Sequence, residues 1–169
     1  MDYRLNNTLY MHIKPFDKAL SDQCDPPAKA AMVHFLVQNS YKDIEVRNES
    51  PECNIEHIYY DVAGTDTIGI RRKFDVEIKR GWNSTIYPFD DIRIPLRKIN
   101  SAASEFIVFN AHCRSFFMIP RYIFCRASSI CMTVRNCEWD HFKQVDKRDI
   151  HIRKYAMLNG LWQEQLSSA

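Results

Sequence analysis

The sequence predicts an α/β protein with one central mixed β-sheet flanked by helices. A helical pattern near the N-terminus precedes several short segments in which apolar and charged residues alternate, as side chains do along a strand. Later segments are apolar throughout, which is typical of strands buried on both faces. A chain of 169 residues builds one hydrophobic core. We therefore expect a single domain over 1–169, with a core at about 25–119, an N-terminal arm and a C-terminal extension.

The first half of the chain begins with a helix predicted at 25–38. Asp25 can accept hydrogen bonds from the free N–H groups of the first turn, and Pro26 needs no N–H there. Apolar residues at helical spacing then continue to Gln38. The segments that follow are a strand at 43–47, a strand at 55–60, a turn-forming stretch at 61–66 and a short strand at 67–70.

The clearest strand is predicted at 74–80, because its apolar and charged residues alternate strictly. Its apolar face carries Phe74, Val76 and Ile78, and its polar face carries Asp75, Glu77 and Lys79. The segments predicted after it are an edge strand at 90–96, buried strands at 105–110 and 115–119, a short helix within 120–129 and a strand at 130–135. Pro95 favours an edge position for the first of these, because proline cannot donate to a ladder.

Composition limits the classes of protein to which the chain can belong. Hydrophobic residues make up 46% and charged residues 26%, as in globular proteins, and no apolar run is long enough to cross a bilayer. The N-terminus lacks the charged-then-apolar order of a signal peptide. Six cysteines without such a leader favour reduced thiols, so we expect a cytoplasmic protein with no membrane partner.

Charge is unevenly distributed along the chain. Up to Asp66 there are six Lys and Arg against eleven Asp and Glu, whereas from Thr67 onward there are seventeen against ten. A basic remainder of this kind is compatible with a polyanionic partner, and it is equally compatible with scattered solvated charge.

Three polar residues carry the candidate chemistry: Asp66, Glu77 and Lys79. Glu77 and Lys79 project from the same face of one strand, and a hairpin could bring Asp66 beside Glu77. Two converging carboxylates form the oxygen-rich, anionic pocket that Mg²⁺ or Mn²⁺ prefers. A lysine ammonium beside this pocket could orient a water molecule or stabilise charge on a phosphate. These parts together suit the metal-assisted hydrolysis of a phosphodiester bond.

Basic and aromatic residues near this strand are candidates for contacts with nucleic acid. The basic candidates for phosphate contacts are Arg71, Arg72, Lys73, Arg80, Arg93, Arg97 and Lys98. Trp82, Tyr87 and Phe89 follow the strand and could stack on unpaired bases or simply pack in the core.

The order of a helix, a strand, an aspartate-bearing turn and a Glu-x-Lys strand resembles the PD-(D/E)xK nuclease superfamily. The resemblance runs from about residue 25 to residue 119 and rests on Gly64-Thr65-Asp66 and Val76-Glu77-Ile78-Lys79. It implies a restriction-endonuclease-like fold and a Mg²⁺-dependent endonuclease that cleaves DNA. It also implies metal ligation by Asp66 and Glu77, with the Ile78 carbonyl as a further ligand and Lys79 assisting the attacking water.

Several alternatives remain open within this resemblance. Asp61 competes with Asp66 for the role of first ligand, and Asp75 could join the site from the face of Glu77. Many members of the superfamily carry a glutamate on the first helix, whereas the comparable stretch here, 28–32, has no acid. The rival hypothesis is a non-catalytic domain that binds nucleic acid or another partner and keeps the nuclease fold. A homodimer is also left open.

Overall fold

The computed structural model of the chain describes residues 18–47, 59–134 and 137–166. Its helices in these ranges are α1 (Lys18–Gln38), a 3₁₀ helix (Leu96–Asn100) and α2 (Arg121–Arg126). Its strands are β1 (Lys42–Val46), β2 (Val62–Thr65), β3 (Arg71–Lys79), β4 (Asp91–Pro95), β5 (Glu105–Asn110), β6 (Ser115–Pro120), β7 (Ser128–Val134), β8 (Cys137–Asp146), β9 (Arg153–Leu158) and β10 (Leu161–Gln165). The expected N-terminal arm and most of the strand predicted at 55–60 lie outside the described residues.

The strands of the described residues form two sheets. The main sheet has seven strands in the order β1-β2-β3-β5-β6-β9-β10, and a smaller sheet has the order β4-β8-β7. The main sheet is mixed, because β3 and β5 run parallel whereas its other neighbours run antiparallel. The α/β class and the mixed sheet are confirmed. The expectation of a single sheet flanked by helices is wrong, because the segment between β3 and β5 supplies β4, which pairs with C-terminal strands.

Each face of the main sheet packs against a different layer. On one face α1 contributes Met32, Phe35 and Leu36 to a cluster that also contains Phe74 and Phe116. On the other face the smaller sheet and α2 complete a second cluster. Members of this second cluster include Trp82, Ile92, Ile94, Phe106, Val108, Phe124 and Val145. The apolar positions of β3 therefore face α1, and its charged positions face the smaller sheet.

The first helix begins earlier than the sequence indicated. It runs from Lys18 through Pro26 and Pro27 to Gln38, so the predicted start at Asp25 is wrong and the predicted end is right. Proline inside a helix removes a hydrogen bond and crowds the preceding turn, so these two residues weaken α1 locally although the helix continues through them.

The segment between β1 and β3 also differs from the prediction. Residues expected to form a turn at 61–66 include β2, and residues expected to form a strand at 67–70 make the hairpin turn between β2 and β3. Gly69 has φ +85° in this turn, which favours glycine. Gly64 lies so close to Tyr41 that a Cβ atom would come within 3.2 Å of the ring. Gly64, within the predicted turn, lies in β2, whereas Gly69, within the predicted strand, turns the chain.

The C-terminal strands belong to the main sheet. β9 pairs with β6, and β10 pairs with β9. Tyr155 and Trp162 from these strands lie in the same cluster as α1. The core therefore extends well beyond the range expected from the sequence. No helix among the described residues is both long and apolar enough to cross a membrane.

Phe116 provides a test of the cluster beneath α1. Its ring is fully buried, stacks on Tyr155 at 4.9 Å between centroids and meets Trp162 at 5.0 Å. Phe116→Ala should lower the free energy of unfolding by about 3–5 kcal/mol in urea denaturation, because a large cavity replaces the ring. Tyr122→Ala, at a ring that is 47% exposed, should change it by less than about 1 kcal/mol. Equal losses in the two variants would contradict this account of the core.

Candidate functional site

The polar face of β3 lies inside the protein. Asp75 pairs with Phe106 across the parallel ladder and Glu77 pairs with Val108, and both partners belong to the cluster on the side of the smaller sheet. Asp75 is only 3% exposed. Asp75 is therefore buried and Glu77 is half-buried beneath the segment that joins β3 to β5.

Lys98 lies between the two carboxylates of this face. Its ammonium forms an ion pair with Oδ1 of Asp75 and lies 3.7 Å from Oε2 of Glu77. The lysine comes from the 3₁₀ helix that follows β4. Burial alone would lower the pKa of Lys98, but the charges of Asp75, Glu77 and Asp61 raise it above its ordinary value. The group is therefore a permanent cation at neutral pH.

Asp61 is the third acid of this group. It directly precedes β2, is 4% exposed and accepts a hydrogen bond from the Val76 N–H at 2.8 Å. The Tyr59 hydroxyl donates to its other carboxylate oxygen, and the Lys29 ammonium lies 3.3 Å from that same oxygen. Burial raises the pKa of Asp61, and the nearby charge of Asp75 raises it further.

The first helix contributes charge to the site through Lys29. This buried lysine also donates to the Arg47 carbonyl at 2.6 Å, which ties α1 to the end of β1. Asp25 lies one turn earlier on the helix, and its negative charge is among the influences that raise the pKa of Tyr59, after burial and Asp61. Asp25, which the sequence analysis placed at the start of the helix, therefore lies within it.

Charge in this group is not balanced. Asp61, Asp75 and Glu77 supply three carboxylates, whereas Lys29 and Lys98 supply two ammonium groups. Oε2 of Glu77 is buried and has no hydrogen-bond partner among the described residues. A buried carboxylate oxygen without a donor is costly, so this atom is free to accept a cation or a donor from outside the protein.

Asp66 does not belong to this group. It accepts hydrogen bonds from the N–H groups of Ile68 and Ile70 and from Arg72, so it closes the hairpin between β2 and β3. In the hairpin, Thr65, the neighbour of Asp66, pairs with Arg71. Arg71 lies six residues and about 20 Å along the strand from Glu77. The interpretation of Asp66 as a shared metal ligand conflicts with this register, which places Asp61 beside the Glu-x-Lys strand instead.

Lys79 and Ile78 also occupy positions that differ from their expected roles. The Lys79 ammonium donates to the Arg93 carbonyl of β4 at 3.0 Å, so it points toward the smaller sheet. The ammonium that contacts Glu77 is that of Lys98. Ile78 pairs with Phe109 in the parallel ladder and packs against the cluster beneath α1. Ligation through its carbonyl stays a prediction.

Most of the predicted phosphate contacts are held by other groups of the protein. Arg71 pairs with Glu45 at 2.9 Å, Arg72 with Asp66 at 3.1 Å and Arg93 with Asp91 at 3.2 Å. The Lys73 ammonium lies 5.1 Å from the centre of the Tyr60 ring. Arg80 and Arg97 are exposed. The basic residues therefore surround the site without forming one continuous patch with it.

Lys29, Tyr59 and the central role of Lys98 were missed by the sequence analysis. Lys29 shares the helical face of Met32 and Leu36, three and seven residues later, which is a signal for a buried lysine that needs an anionic partner. Tyr59 precedes Asp61 by two residues, so both lie on one side of an extended chain. We find no comparable signal in the sequence around Lys98.

No group of three or more His, Cys, Asp and Glu side chains is close enough to hold a metal ion in the described part of the chain. The acids converge instead on an ammonium group, which keeps Asp75 and Glu77 on opposite sides of Lys98. Cys131 approaches His141 at 4.0 Å on the smaller sheet, apart from these acids.

The raised pKa of Asp61 predicts a pH dependence of stability. The folded state holds its proton more tightly than the unfolded state, whose ordinary value is 3.8. The folded protein therefore binds more protons in this window, and stability falls as pH rises. We expect the unfolding free energy of the wild type, relative to Asp61→Asn, to decrease in urea titrations as pH is raised above about 4. If this difference in unfolding free energy instead grows with pH, the ion pairs of Asp61 affect its pKa more than its burial does.

Comparison with known proteins adds no assignment to this geometry. Neither the protein-family models, nor the curated proteins, nor the solved structures contain a match for this chain. The resemblance to the PD-(D/E)xK superfamily therefore rests on the sequence motifs alone and stays a prediction.

Proposed function

We propose that this protein is a Mg²⁺-dependent nuclease that hydrolyses phosphodiester bonds in DNA. The observation that carries the proposal is that Asp75 and Glu77 share the Lys98 ammonium, with Asp61 hydrogen-bonded to the Val76 N–H between them. Two of these acids come from β3 and one from the entry to β2, so rigid strands position them. Burial and the charge of Asp75 raise the pKa of Asp61, and a displaced pKa of this kind is typical of functional sites.

The donor set fits Mg²⁺ or Mn²⁺ in its chemistry. All three acids offer carboxylate oxygens, which are the ligands that hard divalent cations prefer. Oε2 of Glu77 lies 3.7 Å from the Lys98 ammonium and accepts no hydrogen bond among the described residues, so it keeps acceptor capacity for such a cation. Asp75 and Glu77 would hold the ion in place of the Lys98 ammonium that they share, and Asp61 is the further acid beside them. The bound ion would supply Lewis acidity and a water molecule that ionises near neutral pH.

The surrounding residues would prepare the site for the reaction. Tyr59 and the Val76 N–H orient the Asp61 carboxylate, and the raised pKa of Tyr59 keeps its hydroxyl a donor. Lys98, as a permanent cation, would stabilise negative charge that develops on the phosphate. In this proposal Lys98 replaces Lys79 as the ammonium of the active site, because Lys98 is the lysine that contacts the acids.

One observation favours the rival proposal of a binding domain that keeps the nuclease fold. Lys98 already neutralises Asp75, and a buried ammonium at the centre of an acidic group can serve stability alone. In that case the acids would be a structural ion-pair network, and basic residues at the surface would bind a partner without cleavage. Metal binding separates the two proposals.

Substitution of the acids tests the nuclease activity. Asp75→Asn or Glu77→Gln should lower Mg²⁺-dependent cleavage of plasmid and single-stranded DNA by at least about a hundredfold, because a metal ligand is lost. Asp66→Asn is the matched control, since this acid caps a hairpin about 20 Å away. Its activity should stay near that of the wild type. Full activity of Glu77→Gln would refute the proposal, and selective loss in Asp66→Asn would restore the ligand set first inferred from the sequence.

Lys98→Met tests whether the ammonium and a metal ion share the same acids. Without metal this substitution leaves buried carboxylates uncompensated, and we expect a loss of about 3–5 kcal/mol in unfolding free energy. Mn²⁺ should then raise the melting temperature of Lys98→Met more than that of the wild type, because no ammonium competes with it.

The control for this experiment is Lys73→Met, at a half-buried lysine that lies over the Tyr60 ring. It should show no additional stabilisation by Mn²⁺. If the metal stabilises neither the wild type nor Lys98→Met, while DNA binding remains sensitive to salt, the binding domain is the correct description.

A further inference from the structure

A small cavity lies next to the proposed active site and has no role in the hydrolysis described above. It has a volume of about 150 Å³ and opens between the end of β3, the loop 80–90 and the smaller sheet. Cavities of about this volume hold a single six-membered ring, as benzene-binding cavities show. The size therefore favours a one-ring ligand over a two-ring ligand.

One wall of the cavity is formed by packed aromatic side chains. Phe89 is 39% exposed and meets Tyr87 edge to face at 5.3 Å, and Tyr87 in turn meets buried Trp82 at 5.1 Å. Gly81 makes room for this arrangement, since a Cβ atom there would come 2.9 Å from the Phe89 ring. The exposed ring is thus held by packing before any ligand arrives. Trp82 itself is too deeply buried to stack on a base.

The surface of the cavity is mainly apolar, and Lys79 and Arg93 are the basic residues in its lining. The Lys79 ammonium uses one donor on the Arg93 carbonyl and retains others for a ligand. Arg93 also lines the cavity, held by Asp91 at 3.2 Å. Lys147 donates to the Phe89 carbonyl, and its ammonium lies 5.9 Å from the centre of the Tyr87 ring. An aromatic surface beside cations is the arrangement that binds an unpaired base together with its phosphate.

The position of the cavity relates it to the proposed reaction. Lys79 and Glu77 lie on the same face of β3, two residues and about 7 Å apart. A nucleotide adjacent to a phosphate at Glu77 would therefore reach the cavity. Bases within a duplex are paired and stacked, and they enter such a cavity only if they are flipped out.

We propose that this cavity holds one unpaired pyrimidine base, stacked on Phe89, and that the protein recognises single-stranded DNA beside the bond it cleaves. This inference rests on the proposed function for its substrate class. The exposed ring of Phe89 would stack on the base. Lys79 and Arg93 would bind the phosphate that adjoins this base.

Binding without divalent metal tests the inference separately from cleavage. Fluorescence anisotropy in EDTA would compare oligothymidylate, oligodeoxyadenylate of equal length and a duplex. The wild type should bind oligothymidylate most tightly and the duplex most weakly. Phe89→Ala should weaken oligothymidylate binding by about five- to a hundredfold, because the stacking partner is lost. Tyr122→Ala, at an exposed ring outside the cavity, should bind like the wild type.

A second variant tests whether misfolding explains weaker binding by Phe89→Ala. Gly81→Ala keeps the Phe89 side chain but displaces its ring, and it should also weaken oligothymidylate binding while the circular dichroism spectrum stays unchanged. Equal binding of thymidylate and adenylate, or unchanged binding by Phe89→Ala, would overturn the inference even if cleavage is observed. Base-selective binding through Phe89 without any cleavage would support it and refute the nuclease activity instead.

Discussion

The buried ion pair between Lys98 and Asp75 ties the segment that joins β3 to β5 onto the main sheet. Two charges removed from water are stable only if they remain together, so the 3₁₀ helix that bears Lys98 must lie over the polar face of β3. The backbone that follows completes this attachment, because Ala102 donates to the Tyr59 carbonyl and Ser104 to the Lys73 carbonyl. The position of the smaller sheet, which begins with β4, follows from the same attachment.

The two faces of the main sheet consequently differ in composition. The face beneath α1 is packed with aromatic and aliphatic side chains, whose burial stabilises the fold. The opposite face combines apolar packing with the acids of β3, and its charge is only partly compensated. An excess of buried negative charge lowers stability, and proteins retain such arrangements chiefly where a ligand or a reaction requires them. The aromatic cavity beside Lys79 lies on this same face.

The element types could largely be predicted from local patterns. The strict alternation at 74–80 and the apolar runs at 105–110 and 115–119 correspond to β3, β5 and β6, because periodicity reflects which faces are buried. The errors arose where two physical signals compete. Gly64 lay in the turn predicted at 61–66, yet it belongs to β2 and permits close packing against Tyr41. The pairing of β4 with β8 joins segments about fifty residues apart, and no local pattern encodes such a contact.

For the site, the sequence alone determined that Asp75, Glu77 and Lys79 share one face of a strand, because side chains alternate along any extended chain. It also left Asp61 as an alternative to Asp66. Only the tertiary structure decided between these two, since the register of the hairpin sets which acid lies beside β3. The same holds for Lys98, whose distance from Glu77 along the chain is bridged by the fold. The spacing of residues determines which side chains share one face of a strand. Whether side chains from different segments come together depends on strand register and on the path of the connecting segments.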